Sequence, residues 1–180
     1  MRKFARFGRE VPDKATLVNP CTTGETLVMT TEGSFPIANL VGTPVDVWNG
    51  EDWAPVTPRV TGHNQPILRV TLSDGSHLRC TPEHRWIVER SGGDRLRLPA
   101  SALVVGHQLA RVALPDGKTQ DKIVASVQPD GHADTVFCFT EKRNHMGTFN
   151  GIVTGQCGEV ALEQYESCNV SDFFPPRCES

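Results

Sequence analysis

The sequence predicts an all-β domain, and three observations carry that reading. Short runs rich in aliphatic and β-branched residues recur at close spacing, turn residues separate them, and no long amphipathic helical pattern intervenes. The first runs are Thr26-Leu27-Val28-Met29-Thr30, Val45-Asp46-Val47-Trp48 and Ile67-Leu68-Arg69-Val70-Thr71-Leu72. Glu32-Gly33-Ser34, Trp48-Asn49-Gly50-Glu51 and Ser73-Asp74-Gly75-Ser76 read as the turns between them. Asn49-Gly50 and Asp74-Gly75 are the dipeptides expected of two-residue hairpin turns, in which both central residues take positive φ. Further strands are predicted at 85–88, 108–112, 122–127 and 135–140, and single helical turns at 36–40 and 98–103. No tandem repeat is visible, which excludes a solenoid or propeller.

Composition narrows the function classes. A chain of 180 residues holds one ordinary domain with flanking segments. At 38% hydrophobic residues, with 16 Gly and 13 Pro, it reads as loop-rich and globular rather than disordered. A net charge of −3 gives no electrostatic support to a nucleic-acid partner, and Arg2, Lys3, Arg6 and Arg9 read as a solvated end segment. Residues 1–10 are basic but lack the apolar core that would make them read as a signal peptide, and no apolar run reaches the roughly 18 residues of a membrane span. The expectation is a cytoplasmic monomer without a membrane partner, whose six cysteines stay reduced and available as nucleophiles.

Texture divides the chain at two cysteines. Residues 1–20 are polar and broken by Pro12 and Pro20; the strand-like pattern begins after Cys21 and fades past Cys157. Beyond it, 160–165 has room for one helical turn and 171–180 shows no clear structure. Removing residues 21–156 would join the ends as Val18-Asn19-Pro20-Cys157-Gly158-Glu159-Val160. Asn-Pro-Cys-Gly-Glu resembles the active-site loop of ribonucleotide reductase, where the cysteine carries a thiyl radical between an asparagine and a glutamate. Tyr165-Glu166-Ser167-Cys168-Asn169 belongs to the same resemblance, with Cys168 and Cys178 in the flank.

Three interior motifs accompany those boundaries. Cys21-Thr22-Thr23-Gly24-Glu25-Thr26-Leu27-Val28 resembles the opening of the Hint fold shared by inteins and hedgehog-type autoprocessing domains. Gly75-Ser76-His77-Leu78-Arg79-Cys80-Thr81-Pro82-Glu83-His84-Arg85-Trp86-Ile87-Val88 resembles the intein motif centred on Thr-x-x-His. Displacing an amide by a thiol needs a proton delivered to the amide nitrogen and a donor for the developing oxyanion, which an imidazole and a hydroxyl or backbone N–H can supply. Thr81 and His84 are the residues the motif offers. Thr135-Val136-Phe137-Cys138-Phe139-Thr140, followed by Asn144-His145 and Phe149-Asn150-Gly151, resembles the C-terminal intein motif, with His145 assisting cleavage. Asn150-Gly151 itself reads as a turn.

The resemblance covers residues 21–156. It implies a mini-intein of horseshoe-like Hint fold, with no room for a homing endonuclease, between an N-extein segment 1–20 and a C-extein segment 157–180. It also implies splicing without a cofactor, the partners being its own exteins in a ribonucleotide reductase host. The implied catalytic residues are Cys21, Thr81, His84, Cys138, His145, Gln156 and Cys157. Three departures are visible. Gln156 stands where the family usually has asparagine, and would cyclise to a six-membered glutarimide. Gly155 replaces the usual penultimate histidine, and Cys138 replaces a common aspartate. Trp86, Cys138 and Thr154 together resemble the signature of class 3 inteins, in which an interior cysteine acts first, yet Cys21 is present and is the expected first nucleophile.

Two other readings stay open at this point: a Hint domain that cleaves without ligating, which would not need Gln156 beside Cys157, and a non-catalytic β-rich binding domain, which leaves the boundaries unexplained. A reductase in its own right fails on size, since segments 1–20 and 157–180 are too short to build a radical enzyme. No Cys-x-x-Cys occurs, so no zinc site is expected. Cys80 reads as strand packing, and His63, His77, His107 and His132 as loop or surface residues.

Overall fold

The computed structural model describes residues 21–156; the readings made above for 1–20 and 157–180, Cys157 among them, lie outside the described residues. The described chain forms β1 (Thr22–Thr23), β2 (Leu27–Thr30), β3 (Gly33–Pro36), β4 (Val45–Trp48), β5 (Trp53–Val56), β6 (Arg59–Leu72), β7 (His77–Cys80), β8 (Arg85–Glu89), β9 (Arg95–Pro99), β10 (Gln108–Leu109), β11 (Val124–Cys138), β12 (Met146–Phe149) and β13 (Ile152–Gly155). Single 3-10 turns at Ile37–Leu40 and Ala100–Ala102 are the helical structure among the described residues. The all-β expectation is met.

The long antiparallel pair of β6 and β11 runs from Val124 opposite Leu72 to Cys138 opposite Arg59. The sequence pattern implies two strands where β11 is one, because Pro129-Asp130-Gly131 reads as a break. The ladder instead absorbs it as a bulge: the register shifts between Pro129 and His132, and Gly131 takes a φ of 74°. The 108–112 strand is shorter than expected, ending at Leu109; Ala110 N–H still donates to Ile87 O, but the regular ladder stops.

β1, β11, β6 and β7 close a small barrel, while β10-β8-β9 and a sheet ordered β13-β12-β2-β4-β5, with β3 on β2, complete the fold. The main core joins these sheets through Trp86, Phe139, Phe149, Ile37, Leu72 and Leu78. Phe139 and Phe149 stack at 5.3 Å between centroids, and His84 meets Phe149 edge-on at 5.6 Å.

Two turn expectations need correction. Gly50 and Gly75 have positive φ, but Asn49 and Asp74 do not, so neither dipeptide forms the predicted two-residue turn. Asn49 Oδ1 instead accepts from the N–H groups of Glu51 and Asp52, stabilising a longer loop between the paired Trp48 and Trp53. Asn150-Gly151 is the true two-residue hairpin, with φ of 55° and 77° between paired Phe149 and Ile152. Its amide is occupied structurally, accepting from Leu27 N–H and donating to His77 O.

Candidate functional site

Thr22 lies at the meeting of three strands, opposite both Phe137 of β11 and Cys80 of β7. One residue outward along each strand come Cys21, Cys138 and Thr81. The barrel topology therefore gathers two cysteines and a threonine that are far apart in sequence. Extending the β1–β11 register by one residue sets Cys21 against Cys138, and both pack in a buried cluster with Ile67 and Val136.

Cys21 is held from several sides. Its N–H donates to Thr81 Oγ1 at 3.0 Å, its carbonyl accepts from Thr81 N–H at 2.9 Å, and its sulfur is 2.7 Å from Thr61 Oγ1. Cys138 Sγ donates to the Phe139 carbonyl at 3.3 Å. Thr61 Oγ1 donates its one proton to Val136 O at 3.3 Å, so Cys21 Sγ–H donates to Thr61 Oγ1, and both thiols face acceptors that keep the proton on sulfur. Cys80 is fully buried, and burial pushes its thiol up to about 12, in keeping with a packing role.

His84 closes the turn that Thr81 opens, its N–H donating to Thr81 O. The ring is fully buried, and desolvation lowers its pKa to about 3, so it is neutral at physiological pH. Its Nε2 lies 2.9 Å from Thr154 Oγ1, and the Thr154 hydroxyl donates to Gly155 O. A hydroxyl has one proton to give, so Nε2–H donates to Thr154 and Nδ1 carries the lone pair. Nδ1 has no hydrogen-bond partner among the described residues. His84 is therefore a neutral imidazole on a turn whose other end holds Cys21.

Gln156 is buried at the end of β13. Its N–H donates to His145 O at 3.2 Å, and its Oε1 accepts from Glu141 N–H at 3.1 Å. Nε2 has no hydrogen-bond partner among the described residues. His145 meets Gln156 through its backbone, in the left-handed region at φ 56°, and its ring Nδ1 is likewise without a partner among them.

Sequence reasoning missed Glu141. This buried carboxylate accepts from Asn49 Nδ2 and from the N–H groups of Arg143 and Asn144 at 2.8–3.1 Å. Burial pushes its pKa up, but these hydrogen bonds outweigh it and the net shift is downward. Thr61 and Gln120 were missed too; Gln120 accepts from Val153 N–H and donates to Ala110 O, fastening β13. Only a polar residue just past a strand hinted at Glu141, which is too common a pattern to use. Among the described residues no group of three or more His, Cys, Asp or Glu could hold a metal ion, and no helix is long and apolar enough to cross a membrane.

No family model matches the chain. Solved structures similar to it are inteins. They include the DnaB intein from Synechocystis sp. PCC 6803 (TM-score 0.64, 16% identity, 76% of this chain and 97% of that one). The PabCDC21-1 intein gives a TM-score of 0.66 at 16% identity, covering 77% and 99%. The gp41-1 intein gives 0.57 at 20%, covering 76% and 98%. The chain has the intein fold. A curated relative, the ribonucleoside-diphosphate reductase large subunit of Invertebrate iridescent virus 6, is 44% identical over 73 residues, 41% of this chain. The match spans only 8% of that relative's length. It is longer than segments 1–20 and 157–180 together, so it takes in part of 21–156 as well.

Proposed function

We propose that the chain is a mini-intein precursor that excises residues 21–156 and joins Pro20 to Cys157. The observation that carries this reading is that a single turn reaches both ends of the segment: Thr81 binds the backbone of Cys21, while His84 binds Thr154, two residues before Gln156.

Cys21 Sγ attacks the Pro20 carbonyl, forming a thioester as the Pro20–Cys21 amide breaks. The thiol proton ends on the Cys21 nitrogen; Thr81 Oγ1, 3.0 Å away, is placed to relay it, and the buried His84 ring fixes the other end of the same turn. A cysteine of ordinary pKa about 8.5 is only a few per cent thiolate at neutral pH, so the thiol must give up its proton as it attacks. Cys157 takes the acyl group by transthioesterification. Gln156 Nε2 attacks its own main-chain carbonyl, closing the glutarimide and freeing the Cys157 amine, onto which the acyl group moves to give a peptide bond. Every step is intramolecular, so positioning supplies much of the rate. The product would restore Asn19-Pro20-Cys157-Gly158-Glu159, which fits a ribonucleotide reductase host, and a cytoplasmic location follows from the host.

A precursor with longer flanks should yield an excised protein comprising residues 21–156 and a joined product, distinguished by intact mass. Free flanks that never join would leave a cleaving domain. Cys21→Ala should abolish thiol-induced cleavage after Pro20, and Cys138→Ala should only slow later steps. Splicing by Cys21→Ala, with a branch through Cys138, would reverse the order of nucleophiles.

A further inference from the structure

Gly155 lies in ordinary β13, outside the positive-φ region, so its backbone does not demand glycine. Space does. A Cβ placed there would lie 2.5 Å from Arg97 Nη1, 3.2 Å from Arg85 Cβ and 3.3 Å from Arg85 O. The head of Arg97, reaching over from β9, occupies the room a side chain next to Gln156 would take.

That guanidinium also makes directed contacts. Nη2 donates to Asn144 O at 2.8 Å and Nη1 to His145 O at 3.1 Å. His145 O is the same oxygen that accepts Gln156 N–H at 3.2 Å. Arg97 is exposed as a whole, but its head lies against Gly155; burial and the neighbouring Arg85 charge lower its pKa, and an arginine remains protonated all the same. The cation therefore braces a turn that contains a non-glycine residue at positive φ and from which Gln156 hangs. Gln156 is fixed at its N–H and at Oε1, with Nε2 left to turn toward its own carbonyl. A glutamine has one more torsion to fix than an asparagine before the ring can close, so its main chain must be held the more firmly.

We propose that Arg97 is the positioning residue for release at the C-terminal junction, filling the volume beside Gly155 and bracing the 144–145 carbonyls that hold Gln156. This rests on the intein reading above.

The test follows release of the C-terminal flank and thiol-induced cleavage after Pro20 in the same precursor sample. Arg97→Ala should slow release about tenfold or more, as expected when charge-assisted hydrogen bonds are lost, and leave cleavage after Pro20 at the parent rate. Arg97→Lys should recover only part of the rate, since an ammonium does not span two carbonyls as a planar fork does, and Arg97→Met should recover none. Gly155→Ala should slow release alone and have a smaller effect on the Arg97→Ala background, where the 2.5 Å contact with the guanidinium is gone and only the 3.2–3.3 Å contacts with Arg85 remain. Release by Arg97→Ala at the parent rate would overturn the proposal, as would equal slowing of both reactions or fully additive effects of the two substitutions. A parent precursor that reacts at neither junction overturns the intein reading, and this proposal with it; a reactive parent confines any failure to Arg97.

Discussion

Around Cys21 the contacts come from side chains mounted on strands: Thr81 after β7, Thr61 on β6, Cys138 at the end of β11. Around Gln156 they come from backbone groups of the 141–145 loop, which is shaped by the Glu141 carboxylate and the Arg97 guanidinium. On the splicing reading proposed above, the first junction is a reactive set held by a barrel, and the second is a bound conformation held by a loop. The difference follows from the two reactions. Thioester formation needs a nucleophile, a base and a proton path, all side-chain properties. Glutarimide closure needs one side chain to meet its own carbonyl, and the protein can help chiefly by fixing the main chain.

The largest expected effect separates the junctions outright. Gln156→Ala removes the closing nucleophile, so release of the C-terminal flank should fall below detection. Thiol-induced cleavage after Pro20 should persist, because the Gln156 side chain is held by Glu141 N–H and not by the Thr81–His84 turn. Release at the parent rate would sink glutarimide formation. His145→Ala should lower the same step and spare the first.

Glu141→Gln keeps the volume and replaces an acceptor oxygen with a donor facing other donors. Leaving such groups unsatisfied in a buried loop costs roughly 1–3 kcal/mol, so release should slow about tenfold to a hundredfold. Cleavage after Pro20 should move much less. Equal loss at both junctions would mean that the loop and the barrel are a single unit, and the contrast between them would fall.

The unequal construction explains what was legible. Thr81 and His84 share one local motif, and strand pairing brings them to Cys21 whatever the loops do. Glu141 is joined to Asn49 across 92 residues and otherwise to backbone N–H groups, which leave no mark on residue type. Arg97 matters through a glycine on another strand, so neither residue is informative alone. The same held for the fold. Asn49-Gly50 and Asn150-Gly151 are identical dipeptides, yet Asn49 caps its own loop and reaches Glu141, whereas Asn150 takes positive φ in a tight hairpin. The β11 bulge hid a continuous strand because proline and glycine read as a stop until the partner strand is known.

The smallest effect concerns His84, whose turn is bonded to Cys21 at one end and Thr154 at the other. Its pKa is lowered from 6.5 to about 3, so between those values the unfolded chain binds a proton that the folded chain refuses. Stability is then fully present above pH 6.5 and is lost as pH falls below it, by about 1.4 kcal/mol per unit for one group. Carboxylates with lowered pKa values, Glu25, Asp74, Asp130 and Glu141, act in the same direction, but only as pH falls below their ordinary values of 4.5 and 3.8. The window from pH 6.5 to about 5 therefore isolates His84 among the shifted groups described. Urea midpoints for a cysteine-blocked, non-splicing variant should decline across that window, and His84→Gln should flatten the decline even though it lowers stability overall. The His84 ring signals in NMR should show no titration from pH 8 to 5. A ring that titrates near 6.5 would mean a wetter turn than the fold indicates. The ring would then reach the imidazolium form that donates a proton at the first junction, which the buried neutral ring does not reach.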